Sequence, residues 1–156
     1  MASASEPTST PFSTSNPLHV ADPRHPRGLV DTSVVIDLGQ IDPADLPSEI
    51  AISAVTLAEL SAGPHATADP EERARRQDRL QRTETTFASL PMDGAVARAY
   101  GRVYAAVAGR KARGRRAFDL LIAATALAGE LPLYTRNPGD FQELDGLLEV
   151  VAVSTK

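Results

Sequence analysis

Arg115-Arg116-Ala117-Phe118-Asp119-Leu120-Leu121-Ile122-Ala123-Ala124-Thr125-Ala126-Leu127-Ala128 is the stretch on which the fold turns. Between Asp119 and Ala128 the only polar side chain is that of Thr125. A helix with no charged face has little to offer water, so this one is expected to be buried over most of its surface. A carboxylate in such surroundings is costly unless it is paired or holds a metal. Asp119 therefore requires partners elsewhere in the chain.

Working outward, the helix ends at Gly129 and is followed by Leu131-Pro132-Leu133-Tyr134-Thr135. Pro132 cannot donate to a ladder, so the strand is expected to begin at Leu133. Gly28-Leu29-Val30-Asp31 is a short apolar strand closed by an acid. The helix after it, Thr32 to Leu38, has hydroxyls available for capping. Ile50 to Ser53 is a second strand. Ser53 caps a helix, Ala54 to Ala62, that carries Glu59 and stops at Gly63-Pro64. Glu149 to Val153 is a last strand, followed by a short tail. Strands alternating with helices imply an α/β fold with a mainly parallel sheet and right-handed crossovers.

Asp69-Pro70-Glu71-Glu72 starts a helix reaching about Ala88, with Asp69 as cap and Glu72 placed for a capping box. Its charges are mixed and its apolar positions sparse (Ala74, Leu80, Phe87, Leu90), so it packs along a narrow stripe or awaits a partner. Leu90-Pro91-Met92-Asp93 breaks the chain. Asp93 caps a helix from Gly94 to about Ala108, whose core face is Val96, Ala99, Tyr100, Val103, Ala106 and Val107. Residues 1–28, rich in Ser, Thr and Pro, are expected to form a disordered or loosely adhering tail; His19 and His25 within it are expected to be solvated. The folded domain is then 29–153.

With 156 residues and 42% apolar content the chain suits one soluble domain. It has no cysteine, which excludes disulfides and thiolate metal sites and suits a cytoplasmic protein. No apolar run approaches the length needed to span a bilayer, and the N-terminus lacks the features of a secretory signal. The net charge of −4 hides a local inversion. Gly94 to Phe118 holds seven basic residues and no acidic one, five of them (Arg110, Lys111, Arg113, Arg115, Arg116) just before Asp119. Basic charge so concentrated beside an acid suits a polyanion contact.

In an open parallel sheet, ligands bind beyond the carboxyl ends of the strands. Asp31 ends the first strand and Glu59 lies on the helix after the second. Asp119 is on the helix that feeds the Leu133 strand, and Asp140 is in the loop after it. Converging carboxylates would repel one another unless a hard cation were present, and Mg²⁺ or Mn²⁺ suits oxygen donors. Asp31 and Asp119 are the expected direct ligands, with Glu59 and Asp140 bound directly or through water. Such a centre suits phosphodiester hydrolysis. Thr32, Ser33 and Asn137 could contact phosphate or orient a water.

These segments resemble PIN-domain nucleases, and within them the VapC-type ribonuclease toxins. The resemblance rests on Leu29-Val30-Asp31-Thr32-Ser33-Val34, Ser53-Ala54-Val55-Thr56-Leu57-Ala58-Glu59-Leu60, Phe118-Asp119-Leu120-Leu121-Ile122-Ala123-Ala124-Thr125-Ala126 and Tyr134-Thr135-Arg136-Asn137-Pro138-Gly139-Asp140-Phe141. Each motif alone is weak, but the four share the family's order and spacing. The resemblance implies a PIN-like three-layer α/β/α domain with four to five strands. It implies a Mg²⁺- or Mn²⁺-dependent endoribonuclease that cuts structured RNA of the tRNA or rRNA class and inhibits translation. It further implies a homodimer and a cognate antitoxin that enters the acidic site. The tail 1–28 departs from the pattern, since such toxins usually begin close to the first strand.

Two other readings stay open. One is a catalytically silent PIN-fold protein that binds RNA or a partner. The other is a phosphatase of another α/β family, disfavoured because Ser33 stands where an Asp-x-Asp arrangement would need its second acid.

Overall fold

Short apolar runs form the three inner strands, because their central residues are covered on both faces and have no solvent side. The computed structural model describes residues 25–108 and 116–156, with only the backbone described at Arg116. Along the chain come β1 (Arg27–Val30), α1 (Thr32–Ile36), β2 (Glu49–Ser53), α2 (Ala54–Ala62), α3 (Pro70–Thr86) and β3 (Ala88–Leu90). They are followed by α4 (Gly94–Val107), α5 (Arg116–Ala128), β4 (Leu133–Thr135) and β5 (Val150–Ala152). A 3-10 turn, Pro138–Leu144, lies between β4 and β5.

The described strands form one five-stranded sheet in the order β3-β2-β1-β4-β5, with every pairing parallel. β1 is central. Leu29 pairs with Ala51 of β2 on one side and Leu133 of β4 on the other. The chain winds outward from β1 in one direction and then crosses back to place β4 on its other side. That reversal opens a crevice beyond the ends of β1 and β4.

Alternate strand residues feed two separate cores. Leu29, Ala51 and Leu133 face a cluster built with α4 and α5, including Val96, Val103, Leu120, Ile122 and Ala123. Val30, Ile52 and Tyr134 face the other, with Val34, Val35, Ile41 and Leu60. This gives the expected α/β/α layering. Gly28 lies on the second face, where a Cβ would come within 2.5 Å of the Tyr134 ring.

Several local expectations are corrected. β3 was not foreseen: it is three residues long and largely exposed, so it carries no apolar signature. β1 begins one residue earlier than the Gly28 start read from sequence, at Arg27 of the expected tail, while Pro26 accepts from the Glu49 amide at 2.9 Å. His25 is not free in solvent but pairs with Glu149 at 2.7 Å. The remainder of the proposed tail, including His19, lies outside the described residues. At the other end, Lys156 donates its amide to Gln40 at 2.9 Å, so Ser154–Lys156 is docked.

Ala106 is exposed, because the core stripe of α4 runs through Val96, Ala99, Val103 and Val107. Asp69 caps α3 as expected, but Glu72 turns outward to Arg75 and Arg76 and does not close a capping box. At the end of α5 the left-handed residue is Glu130, φ 53°, and not Gly129. Leu131 donates to Ala126 and Glu130 to Leu127, the two bonds of a Schellman turn with Glu130 at its glycine position.

Candidate active site

The crevice is organised around Asp31. β1 ends at Val30, and Asp31 turns the chain into α1 with an extended backbone (φ −81°, ψ 176°). Its Oδ1 accepts from the Val34 amide at 3.2 Å, so the acid itself caps α1 in place of the hydroxyls that follow it. Those hydroxyls serve the acids. Ser33 donates to Asp31 Oδ1 at 2.5 Å, and Thr135, the last residue of β4, donates to Oδ2 at 2.5 Å. Each hydroxyl is loaded from behind by a backbone amide: Arg136 N–H donates to Ser33 Oγ (3.2 Å) and Asn137 N–H to Thr135 Oγ1 (3.0 Å).

Asp31 is 5% exposed. Burial pushes its carboxyl above the usual range, and the donations from Ser33, Thr135 and the backbone pull partly back. Among the described residues the buried acid is thus Asp31. Asp119, expected to be buried by its apolar helix, is only half-buried, because it lies in the first turn of α5 before that helix enters the core.

A second set of hydroxyls leads to Glu59. Thr32 Oγ1 lies 2.8 Å from Glu59 Oε1 and 3.1 Å from Thr56 Oγ1, and Ser53 Oγ lies 3.4 Å from Thr56 Oγ1. A hydroxyl has one proton. With Thr32 donating to the carboxylate, Thr56 donates to Thr32 and accepts from Ser53, so every proton points towards Glu59. Glu59 is half-buried, not solvent-facing. Asp31 and Glu59 are thereby joined through consecutive residues, Asp31 and Thr32.

Asp140 is exposed in the first turn of Pro138–Leu144, with its amide on Asn137 O at 3.0 Å. Asn137 is exposed as well. The elements bearing the acids are neighbours: α1 packs on β4 and α2, and α2 packs on α5. Among the described residues, however, no three Asp, Glu or His side chains group closely enough to hold an ion together. The four acids share a region without forming one tight cluster.

The donors still suit a hard cation. They are oxygens throughout, and Asp31 is a buried carboxylate whose hydrogen-bond partners are neutral hydroxyls and an amide. Mg²⁺ commonly takes one or two carboxylates and keeps several waters, which asks for no three-acid cage. Asp31 is the group best placed to hold such an ion, with Glu59 linked to it through the adjoining Thr32.

Thr56 and Thr135, both 0% exposed, were not singled out from sequence, and Ser53, also 0% exposed, was read only as a helix cap. Ser53-x-x-Thr56 was legible as a cap, but nothing local showed its link to Thr32. Arg136 was also missed; its guanidinium pairs with Asp37 at the end of α1. Arg110, Lys111, Arg113 and Arg115 lie outside the described residues, and Arg116 opens α5.

The profile of the PIN domain matches residues 28–147. Ribonuclease VapC5 of Mycobacterium tuberculosis (strain ATCC 25618 / H37Rv) is 39% identical over 128 residues, 79% of this chain and 91% of that protein. The chain belongs to the PIN-domain family, in its VapC branch. As a solved structure, this PIN domain is similar to VapBC-5 from M. tuberculosis, a member of the VapBC family of toxin–antitoxin systems. The identity is 38% and the TM-score 0.72, covering 81% of this chain and 98% of that one. FitAcB from Neisseria gonorrhoeae is similar at 27% identity and a TM-score of 0.60, covering 78% and 94%.

Proposed function

We propose that this PIN domain is a metal-dependent endoribonuclease, the toxin of a toxin–antitoxin pair. The observation that carries the reading is the buried Asp31 carboxylate, cradled by two loaded hydroxyls and joined to Glu59 in the crevice of the sheet. When bound, Mg²⁺ or Mn²⁺ supplies Lewis-acid chemistry to the phosphodiester and its water. Asp31 and Asp119 would hold the ion, with Glu59 and Asp140 directly or through water. Ser33 and Thr135 keep both Asp31 oxygens fixed. The hydroxyl chain aims Glu59, which can accept the proton of the attacking water. Arg110, Lys111, Arg113, Arg115 and Arg116 would hold the RNA backbone.

We take the substrate to be structured RNA of the tRNA or rRNA class in the cytoplasm, its cleavage inhibiting translation, and the working form to be a homodimer. No helix among the described residues is long and apolar enough to cross a membrane, which suits that setting. Similarity to VapBC-5, a member of a toxin–antitoxin family, supports a cognate antitoxin partner. The groove between α1 and α3, with apolar Val35, Ile36, Leu38 and Phe87 beside Arg75, Arg79 and Arg82, suits such a partner.

The test is cleavage of RNA by wild type and by Asp31→Asn in Mn²⁺ or Mg²⁺ and in excess chelator. Cleavage should need the metal and fall by about a hundredfold or more in the variant, since loss of an outer-shell partner alone costs roughly 10- to 100-fold. Equal cleavage by both proteins, or none by either, overturns the reading. None by either favours the silent RNA- or partner-binding PIN domain, whose support is the lack of a three-acid group among the described residues.

A further inference from the structure

We propose that the Asp37–Arg136 ion pair is a latch that positions the Ser33 hydroxyl and, through it, the Asp31 carboxylate. Asp37 closes α1, its amide on Ser33 O at 3.4 Å. Arg136 directly follows Thr135, beyond β4. The pair therefore ties the helix after β1 to the loop after β4, across 99 positions of sequence.

The consequence lies in the backbone of Arg136. Its N–H donates to Ser33 Oγ at 3.2 Å, and the next amide, Asn137 N–H, donates to Thr135 Oγ1 at 3.0 Å. Each amide occupies a lone pair of its hydroxyl. Each hydroxyl proton is then left to point at Asp31, Ser33 at Oδ1 and Thr135 at Oδ2. Two successive amides thus set the direction of both side-chain donors on the acid. The latch holds those amides in place from outside.

The pair's own contribution to stability is small, because its side chains are 34% and 24% exposed and ion pairs open to water are weak. Its effect is on geometry. Asp37 and Arg136 are positioning residues, and neither touches the acid with its side chain. The activity part of this inference rests on the ribonuclease reading above.

The experiment uses the full chain as wild type, Asp37→Asn, Arg136→Gln and the charge swap Asp37→Arg with Arg136→Asp. One readout is cleavage of a fluorogenic RNA oligonucleotide in Mn²⁺. The other is hydrogen exchange of the Arg136 amide, followed by NMR in metal-free buffer. Each single variant should lower kcat by about tenfold, the range for outer-shell partners, with KM within about twofold and little change in melting temperature. The Arg136 amide should exchange about tenfold faster in each, and the swap should restore both readouts. If wild type cuts and the single variants match it, or if the swap fails to restore both rate and protection, the latch is overturned; protection restored without rate makes Arg136 a direct substrate contact. If wild type does not cut, the ribonuclease reading fails alone, and amide exchange still decides the latch.

Discussion

Replacing Thr135 by Val keeps the shape of a fully buried side chain and removes one hydroxyl. That hydroxyl donates to Asp31 Oδ2 at 2.5 Å and accepts from the Asn137 amide at 3.0 Å. A hydrogen bond to a charged group contributes roughly 1.5–3 kcal/mol. Water cannot take its place here, because Asp31 is 5% exposed. The Asn137 amide belongs to an exposed residue and can find water, so its loss adds little. Thr135→Val should therefore cost about 2–3 kcal/mol at neutral pH, or about 6–12 °C in Tm at ~3–4 °C per kcal/mol for a chain of this size. The deficit should depend on pH. Thr135 stabilises the ionised acid, so its loss raises further a carboxyl that burial has already raised. Where Asp31 is protonated in both proteins that part of the deficit vanishes. It grows as pH rises through the wild-type value and is complete above the variant's. Thermal and urea unfolding in chelator from pH 4 to 8 measures this. A loss below about 0.5 kcal/mol at neutral pH, or one that does not shrink on acidification, would refute the cradle.

Asp31→Asn should raise stability at neutral pH in metal-free buffer. Between the unfolded carboxyl value, about 3.9, and the raised folded value, the native state holds the extra proton. Wild-type stability therefore falls as pH rises through that window, and the Asn variant lacks this fall. Added Mn²⁺ should stabilise wild type and not the variant. An unfolding series showing the variant less stable at neutral pH, with the wild-type pH slope, would sink the argument. Glu130→Gly should stabilise the fold by about 0.5–1 kcal/mol, since Glu130 holds φ 53° at the glycine position of a Schellman turn. Urea denaturation checks it, and a loss of stability would mean that the Glu130 side chain contributes more than its backbone strain costs.

The layers of the fold were legible because β1, β2, β4 and the core-facing side of α5 are apolar runs of distinct period. β3 was not, since Ala88–Leu90 is a largely exposed edge whose identity comes only from pairing with β2. Glu59 and Asp31 stood out as acids among apolar neighbours. Their hydroxyl partners did not, because Thr56 and Thr135 look like ordinary strand or helix residues until a segment distant in sequence is laid beside them. Asp119 was read as buried from the average character of its helix, but burial is decided turn by turn, and its turn lies at the rim. Arg136 was passed over because an ion pair spanning 99 positions leaves no local trace.

The placement of β1 between β2 and β4 has a consequence for the timing of assembly. Asp31 is made early, but the donor to its second oxygen arrives 104 residues later. At about 5–20 residues per second of synthesis, that separation corresponds to roughly 5–20 s. For most of that interval the growing chain has β1, β2 and α2 in hand, with Asp31 lacking Thr135 and the amides of Arg136 and Asn137. Pairing of strands so distant in sequence is also slow to nucleate. The full set of donors on the acid can therefore form only after β4 and the two residues beyond it are made.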